Sequence, residues 1–264
     1  MRWILLICMV FSAPSFSYHP PTKVVVLGDS GYPPYSYVHN GKPSGIYVDI
    51  LQAVFKTMPQ YQVEIRLLPW KRGLKMLEVG EGFALFPPYY YPDQRLYISP
   101  YSSPILTEEV AVFCSSNIAE KRTLASWPND YLGLTIGINE SFSLGGREFW
   151  QAVKNGEIRI KEAQTNRDNI LNLYNNMTDC YINDRISILW EVKQLTLEGV
   201  LPSSWSISNG LSISSEQGYV GFTKINPERF PYKDDFIFEF NKGLEKVKKD
   251  GTLNSILTFY SLRD

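Results

Sequence analysis

The sequence predicts an α/β protein made of two lobes, each a mainly parallel sheet flanked by helices, with a ligand cleft between them. Short continuous β-branched runs such as Lys23-Val-Val-Val-Leu27 have the pattern of strands buried on both faces. These runs alternate with stretches whose apolar residues recur at helical spacing, and such alternation argues for parallel sheets covered by helices. After Cys114 the alternation starts afresh, so a second sheet is expected. The expected division is 18–110 plus 219–264 for the first lobe and 111–218 for the second.

The elements follow in order. The first strand, 23–27, is broken by Gly28-Asp29-Ser30-Gly31, and an aromatic loop, Tyr32-Pro-Pro-Tyr-Ser-Tyr37, comes next. The Asn40-Gly41 step marks a turn. Helix 49–58 is stopped by Pro59. A strand over 61–68, a helix opened by Pro69-Trp70-Lys71-Arg72 and a strand over 83–86 complete the first series. Strand 110–114 precedes the second series, which has strands at 134–138, 158–163 and 180–183 and helices ending at 153, spanning 167–176 and spanning 186–197. A last strand over 218–222 leads to closing helices at 234–247 and 252–260, separated by the Asp250-Gly251 cap.

The ends and the composition narrow the function. Arg2, an apolar run from Trp3 to Phe11 and the small residues around Ser15 and Ser17 read as a secretory signal over 1–17, so the mature protein is expected to be exported. Lysine plus arginine number 26 and aspartate plus glutamate 27 in the full chain. Loss of Arg2 with the signal leaves a near-neutral chain, without the basic patch that nucleic acid or an anionic membrane requires. The two histidines, His19 and His39, have no partners at metal-ligand spacing. No metal or cofactor is expected, and the protein reads as a monomer without enzymatic activity. Cys114 and Cys180 either pair in an oxidising compartment or remain buried thiols in apolar strands.

The most informative stretch runs from Phe83 through Pro87-Pro88-Tyr89-Tyr90-Tyr91 and Arg95 to Tyr101. Side chains alternate along an extended chain, so three successive tyrosines cannot all enter one core. Some must line a cleft, where the Arg95 guanidinium can fork onto a planar carboxylate. The aromatic loop after the first strand supplies the other half, because ligands of open α/β sheets sit beyond the carboxyl ends of strands.

Several local patterns occur together in order: the strand with Asp29 and Tyr32-Pro-Pro-Tyr35, Gly45-Ile-Tyr-Val-Asp49, Asp93-Gln-Arg95 with Ile98-Ser-Pro-Tyr101, Asp179-Cys-Tyr-Ile-Asn-Asp184, and Phe240-Asn241 with Asp250-Gly-Thr252. In these the chain, from about Lys23 to Tyr260, resembles the family 3 extracellular solute-binding proteins, the periplasmic type II receptors of polar amino acid ABC transporters. The resemblance implies the two-lobed type II fold, a small amino-acid-like solute and an ABC permease as partner. It also implies roles: Arg95 on the solute's α-carboxylate, Asp184 on its α-ammonium, Tyr32 and Trp70 as rings around its side chain, Asp29 facing a basic side chain, and Ser143 as a further donor. One departure stands out. Where the family usually places small hydroxyl residues before the arginine, this chain has Pro88 and Tyr90, and proline has no N–H to offer. Arg72 is a second candidate ligand group. A sensor on the same fold, or a dehydratase using Glu140 or Asp184 as its acid, are the alternative readings.

Overall fold

A computed structural model describes residues 20–261, and the expected signal at 1–17 lies outside the described residues. The chain begins with β1 (Thr22–Asp29), a hairpin-like trio β2 (Gly31–Tyr32), β3 (Ser36–His39) and β4 (Lys42–Ser44), then α1 (Ile46–Phe55), β5 (Tyr61–Leu68), α2 (Trp70–Glu78), β6 (Ala84–Phe86) and β7 (Ile98–Tyr101). It crosses into β8 (Leu106–Cys114), the short α3 (Ser116–Ala119), β9 (Thr135–Asn139), α4 (Gly146–Lys154), β10 (Arg159–Ala163), α5 (Asn166–Tyr174), β11 (Cys180–Asp184), α6 (Arg185–Leu197) and β12 (Leu211–Gly218). It returns through β13 (Gly221–Thr223) and ends in α7 (Lys233–Lys249) and α8 (Thr252–Ser261).

Two five-stranded sheets result, ordered β5-β1-β6-β13-β7 and β10-β9-β11-β8-β12. Both are mixed. The strands of the alternating series pair in parallel, β1 with β5 and β6, and β9 with β10 and β11. The strands next to the crossings, β13, β7, β8 and β12, pair antiparallel. Sequence reading missed β7 and β12 for one reason: both are edge strands, paired on one side only. Pro100 inside β7 is tolerated at an edge because no ladder bond is lost there, and the polar run of β12 reflects its partial exposure.

Each sheet is covered on both faces. In the first, Val24 and Val26 pack with Val48, Leu51, Val54, Phe236 and Phe240 of α1 and α7, while Leu27 and Leu85 pack on Leu74 and Leu77 of α2. In the second, Ile136, Ile138 and Val112 meet Phe149 and Ala152 of α4, and Phe113 and Tyr181 meet Ile170, Ile188 and Leu195 of α5 and α6. Gly45 opens α1 with φ 120°, and a Cβ there would lie 2.5 Å from the Tyr35 carbonyl oxygen, so the tight entry from the aromatic loop requires glycine. Tyr260 of α8 donates to Asp49 of α1 at 2.8 Å, which ties the last helix to the first.

The two crossings lie side by side. Ser102 N–H donates to the Val220 carbonyl and Ile105 N–H to the Gly218 carbonyl, each at 2.8 Å, and Val220 N–H donates back to Ser102 Oγ at 2.9 Å. The expected lobe boundary at 110/111 falls within β8, whose nine residues all belong to the second sheet. Among the described residues no helix is long and apolar enough to cross a membrane.

Cys114 and Cys180 face each other across β8 and β11 and form a disulfide. The bond closes a loop of 66 residues, and restricting that loop in the unfolded chain is worth about 2–4 kcal/mol. Reduction under native conditions is therefore expected to lower the melting temperature by about 5–10 °C, as measured by circular dichroism with and without reductant. An unchanged transition would show that the bond adds no stability.

Candidate functional site

The loops at the carboxyl ends of the parallel strands of both sheets converge on one small cavity of about 30 Å³. Asp29 closes β1, Tyr32 lies in β2, Trp70 is the first residue of α2, and Pro87, Tyr89, Tyr91 and Arg95 come from the loop after β6. The second lobe contributes Phe142, Ser143 and Leu144 from the loop after β9. The Phe142 ring stands edge-on to both Tyr32 and Trp70, at 6.0 Å from each, and so presses an apolar ring from one lobe onto the aromatic wall of the other. The volume admits a water or two and falls far below the roughly 300 Å³ of ordinary small-molecule sites. This is a closed arrangement, and a solute must part the lobes to enter. A broad open groove of about 1030 Å³ adjoins it, sharing Tyr91, Phe142 and Ser143, but the buried charged groups lie in the smaller cavity.

Arg95 is the dominant electrostatic feature. It is 6 % exposed, and its Cζ stands 5.4 Å from the Trp70 ring centroid and 5.5 Å from that of Tyr91. Among the described residues no salt bridge involves it, and burial lowers its pKa. Cation–π contact recovers only about 0.5–2 kcal/mol, while an unpaired buried charge is costly. The Trp70 Nε1–H nearby is also buried without a partner. Arg95 thus lacks an acidic partner, and the indole lacks an acceptor.

Asp29 is 3 % exposed; its Oδ1 accepts the Gly31 N–H at 2.9 Å. Burial pushes its pKa up to about 7, against the lowering effect of the Gly31 and Ser30 amides. It too belongs to no salt bridge among the described residues.

Behind the cavity stands Glu108 of β8, 2 % exposed. Tyr47 donates its hydroxyl to Oε1, and Tyr32 and Tyr89 donate theirs to Oε2, the last at 2.7 Å. A strand of the second sheet thus grips α1, β2 and the loop after β6 of the first lobe through one carboxylate. Sequence reading missed Glu108, Tyr89, Tyr91 and Phe142 as site groups. The signal for Glu108 existed: it lies in phase with Val110, Val112 and Cys114, on the buried face of β8.

Of the residues expected in the site, Asp29, Tyr32, Trp70, Arg95 and Ser143 line the cavity. Four do not. Arg72 is exposed on α2. Pro88 is buried, with its carbonyl accepting the Tyr219 N–H at 3.1 Å, and its neighbours Pro87 and Tyr89 take the wall positions. Tyr90 is 57 % exposed and packs on Tyr101 and Tyr219. The loop alternates, so one tyrosine must face out. Asp184 is fully buried and caps α6, its Oδ1 accepting the Ser187 N–H at 2.8 Å. It is not among the residues lining the small cavity, and its Oδ2 is buried without a hydrogen-bond partner.

A model of the bacterial extracellular solute-binding proteins, family 3, matches residues 24–262. This chain belongs to that family. The solute-binding protein is also 21 % identical over 243 residues to a probable amino-acid-binding protein, YxeM, of Bacillus subtilis strain 168, covering 92 % of this chain and 85 % of that one. Among solved structures, a histidine kinase sensor domain with similarity to periplasmic binding proteins superposes with TM-score 0.72 at 19 % identity, over 90 % of this chain and 96 % of that one. An ancestral arginine-binding protein bound to arginine superposes with TM-score 0.71 at 18 % identity, over 90 % and 97 %. At such identities the superpositions establish the type II fold, with its two lobes, for this solute-binding protein.

Asp184 generates a pH prediction. Its pKa is raised to about 8, first by burial and then by Glu108, and that of Asp29 to about 7 by burial. Between the unfolded value near 4 and these folded values, the native state holds more protons than the unfolded one, so stability falls as pH rises. The melting temperature of the unliganded protein is expected to decline from pH 5 to pH 8. Asp184→Asn, which keeps an oxygen for the cap, flattens that decline. An equally steep decline in the variant would contradict this assignment.

Proposed function

We propose that the protein captures an amino acid, or a related small zwitterion, between its lobes and delivers it to an ABC transporter in the inner membrane, after export and removal of the 1–17 leader. The observation that carries this reading is Arg95: a guanidinium buried against Trp70 and Tyr91 in an interlobe cavity, with no acid of its own. A solute carboxylate supplies the missing counter-charge, and the Trp70 Nε1–H adds a donor. Transport delivery draws support from family membership and from a fold neighbour described as the substrate binding protein of an amino acid ABC transporter. Binding alone, without bond-making, accounts for these groups.

Energetics explains the need for two lobes. Micromolar affinity takes about 8 kcal/mol, whereas one charge-assisted hydrogen bond gives about 1.5–3 kcal/mol and an aromatic contact about 0.5–1.5 kcal/mol. No single lobe supplies the sum. Closure that excludes water from Arg95, Trp70, Tyr32 and Phe142 does.

The test is a thermal-shift screen of the purified protein against amino acids, polyamines, organic acids and dipeptides, since a ligand bound only by the native state raises its melting temperature. A zwitterionic hit is expected. Arg95→Ala should weaken it about 30- to 100-fold, about 2–3 kcal/mol, while leaving the unliganded melting temperature unchanged or raised, because the guanidinium satisfies no protein acid. A full shift retained in Arg95→Ala would remove Arg95 from the site.

A further inference from the structure

The small cavity suits a head group better than a whole amino acid. Its volume of about 30 Å³ admits a water or two, which is room for a carboxylate beside Arg95 and little more. The rest of a solute needs space elsewhere. Three wall residues, Tyr91, Phe142 and Ser143, are shared with the open groove of about 1030 Å³, so the continuation lies there. That groove has aromatic walls held in place. Trp127 and Trp150 line it, and both commit their indole N–H to the loop that closes the cavity: Trp127 Nε1 donates to the Gly145 carbonyl and Trp150 Nε1 to the Leu144 carbonyl, each at 2.8 Å. With those protons engaged, the two indoles have only apolar surface left for a solute.

The acids divide in the same way. Among the described residues the one acid lining the cavity is Asp29, whose pKa burial pushes up to about 7. It is partly protonated at neutral pH and makes a weak partner for an ammonium lying beside Arg95. Glu216 of β12 lines the groove and is only partly buried. It accepts the Ser214 hydroxyl at 2.9 Å and the Tyr91 hydroxyl, and it belongs to no salt bridge among the described residues. Tyr91 links the two ends. Its ring centroid lies 5.5 Å from Arg95 Cζ and its hydroxyl reaches Glu216, so the guanidinium and the carboxylate stand one tyrosine side chain apart. An extended peptide advances about 3.3–3.6 Å per residue, and two or three residues cover that span.

We infer that the solute is a short peptide of two or three residues, with its C-terminal carboxylate on Arg95, its body leaving the cavity past Phe142 and Ser143, and its N-terminal ammonium on Glu216 in the groove. The inference rests on the Arg95 reading given above and extends it from a single residue to a longer zwitterion. The peptide stays anchored at Arg95, and only its tail lies against Trp127 and Trp150. In such a solute the nitrogen nearest the anchored carboxylate is a neutral amide with one N–H. It asks of Asp29 a hydrogen bond and no charge. The ammonium meets its counter-charge at Glu216, where water still reaches and the desolvation cost is smaller.

The experiment is calorimetric titration at 150 mM salt and pH 7.5 with the twenty amino acids, the twenty dipeptides Ala-X and the twenty tripeptides Ala-Ala-X, where X is each amino acid in turn. The tightest peptide is then titrated again with its N-terminus acetylated and, separately, with its C-terminus amidated. The wild-type protein is expected to bind that peptide at least tenfold more tightly than its free C-terminal amino acid, and acetylation is expected to weaken it about tenfold, because a charge-assisted contact is lost. In Glu216→Gln, which keeps the size and an acceptor for Ser214 and Tyr91, acetylation is expected to cost less than twofold. A partial loss of fold would weaken the free and acetylated peptides together and leave their ratio unchanged. If that variant does not fold, the cost of acetylation in the wild-type protein still decides. Free amino acids bound as tightly as the peptides, an acetylated peptide bound as tightly as the free one, or an acetylation cost unchanged in Glu216→Gln would overturn the inference and leave the Arg95 reading standing. A panel in which nothing binds, or an amidated peptide that binds as well as the free acid, would overturn both.

Discussion

A guanidinium held out of water without an anion is the constraint on which this structure turns. Arg95 lies under Trp70 and beside Tyr91, 6 % exposed, in a cavity to which both lobes contribute. Ring contacts offset only part of the desolvation cost. A protein built for stability alone gains by replacing such a group with an apolar one. Its retention beside an unpartnered indole N–H makes sense when a planar anion completes the arrangement.

The rest of the molecule serves to bring that anchor and its opposite wall together and to let them part. Two crossings, hydrogen-bonded to each other through Ser102, Ile105, Gly218 and Val220, join the sheets. Beyond them, contacts between the lobes among the described residues include Glu108 on its three tyrosines, the Pro33 carbonyl accepting from Ser187 Oγ at 2.7 Å and Asn166 Nδ2 at 3.4 Å, the Lys71–Glu140 ion pair at 3.9 Å, and the Tyr37 ring 5.6 Å from that of Trp190. Contacts of this sort break and re-form without exposing a hydrophobic core. Phe142 is the main apolar contact across the cavity, and it lies on a loop. Closure therefore places one apolar contact where a solute side chain would add to it.

Much of the fold was legible in the sequence because the alternating series announces itself locally. The runs at β1 and β9 are apolar and β-branched, β5 alternates apolar with polar residues, and α1, α2 and α4 carry helical periodicity, so each could be read without knowing its neighbours. The edge strands β7 and β12 could not, since their residues are chosen for one-sided pairing and partial exposure. The site was legible in its anchors and not in its walls. Arg95, Asp29, Tyr32 and Trp70 stand out as charges and rings beside strand ends. Which of Tyr89, Tyr90 and Tyr91 faces inward depends on the path of the Pro87-Pro88 turn, a tertiary fact. Asp184 at the end of β11 fits a helix cap as well as a ligand group; its Oδ1 caps α6, while its buried Oδ2 takes no part in the cap. The disulfide, left open in the sequence, depends on β8 lying beside β11 although 66 residues separate the cysteines.

The most direct test of the central claim is a crystal structure of the protein with the tightest-binding solute from a screen. The account predicts closed lobes, with the solute's carboxylate oxygens about 2.7–2.9 Å from the Arg95 guanidinium and its body between Trp70, Tyr32 and Phe142. A solute seated in the outer groove, or one that leaves Arg95 without an anionic partner, would contradict it.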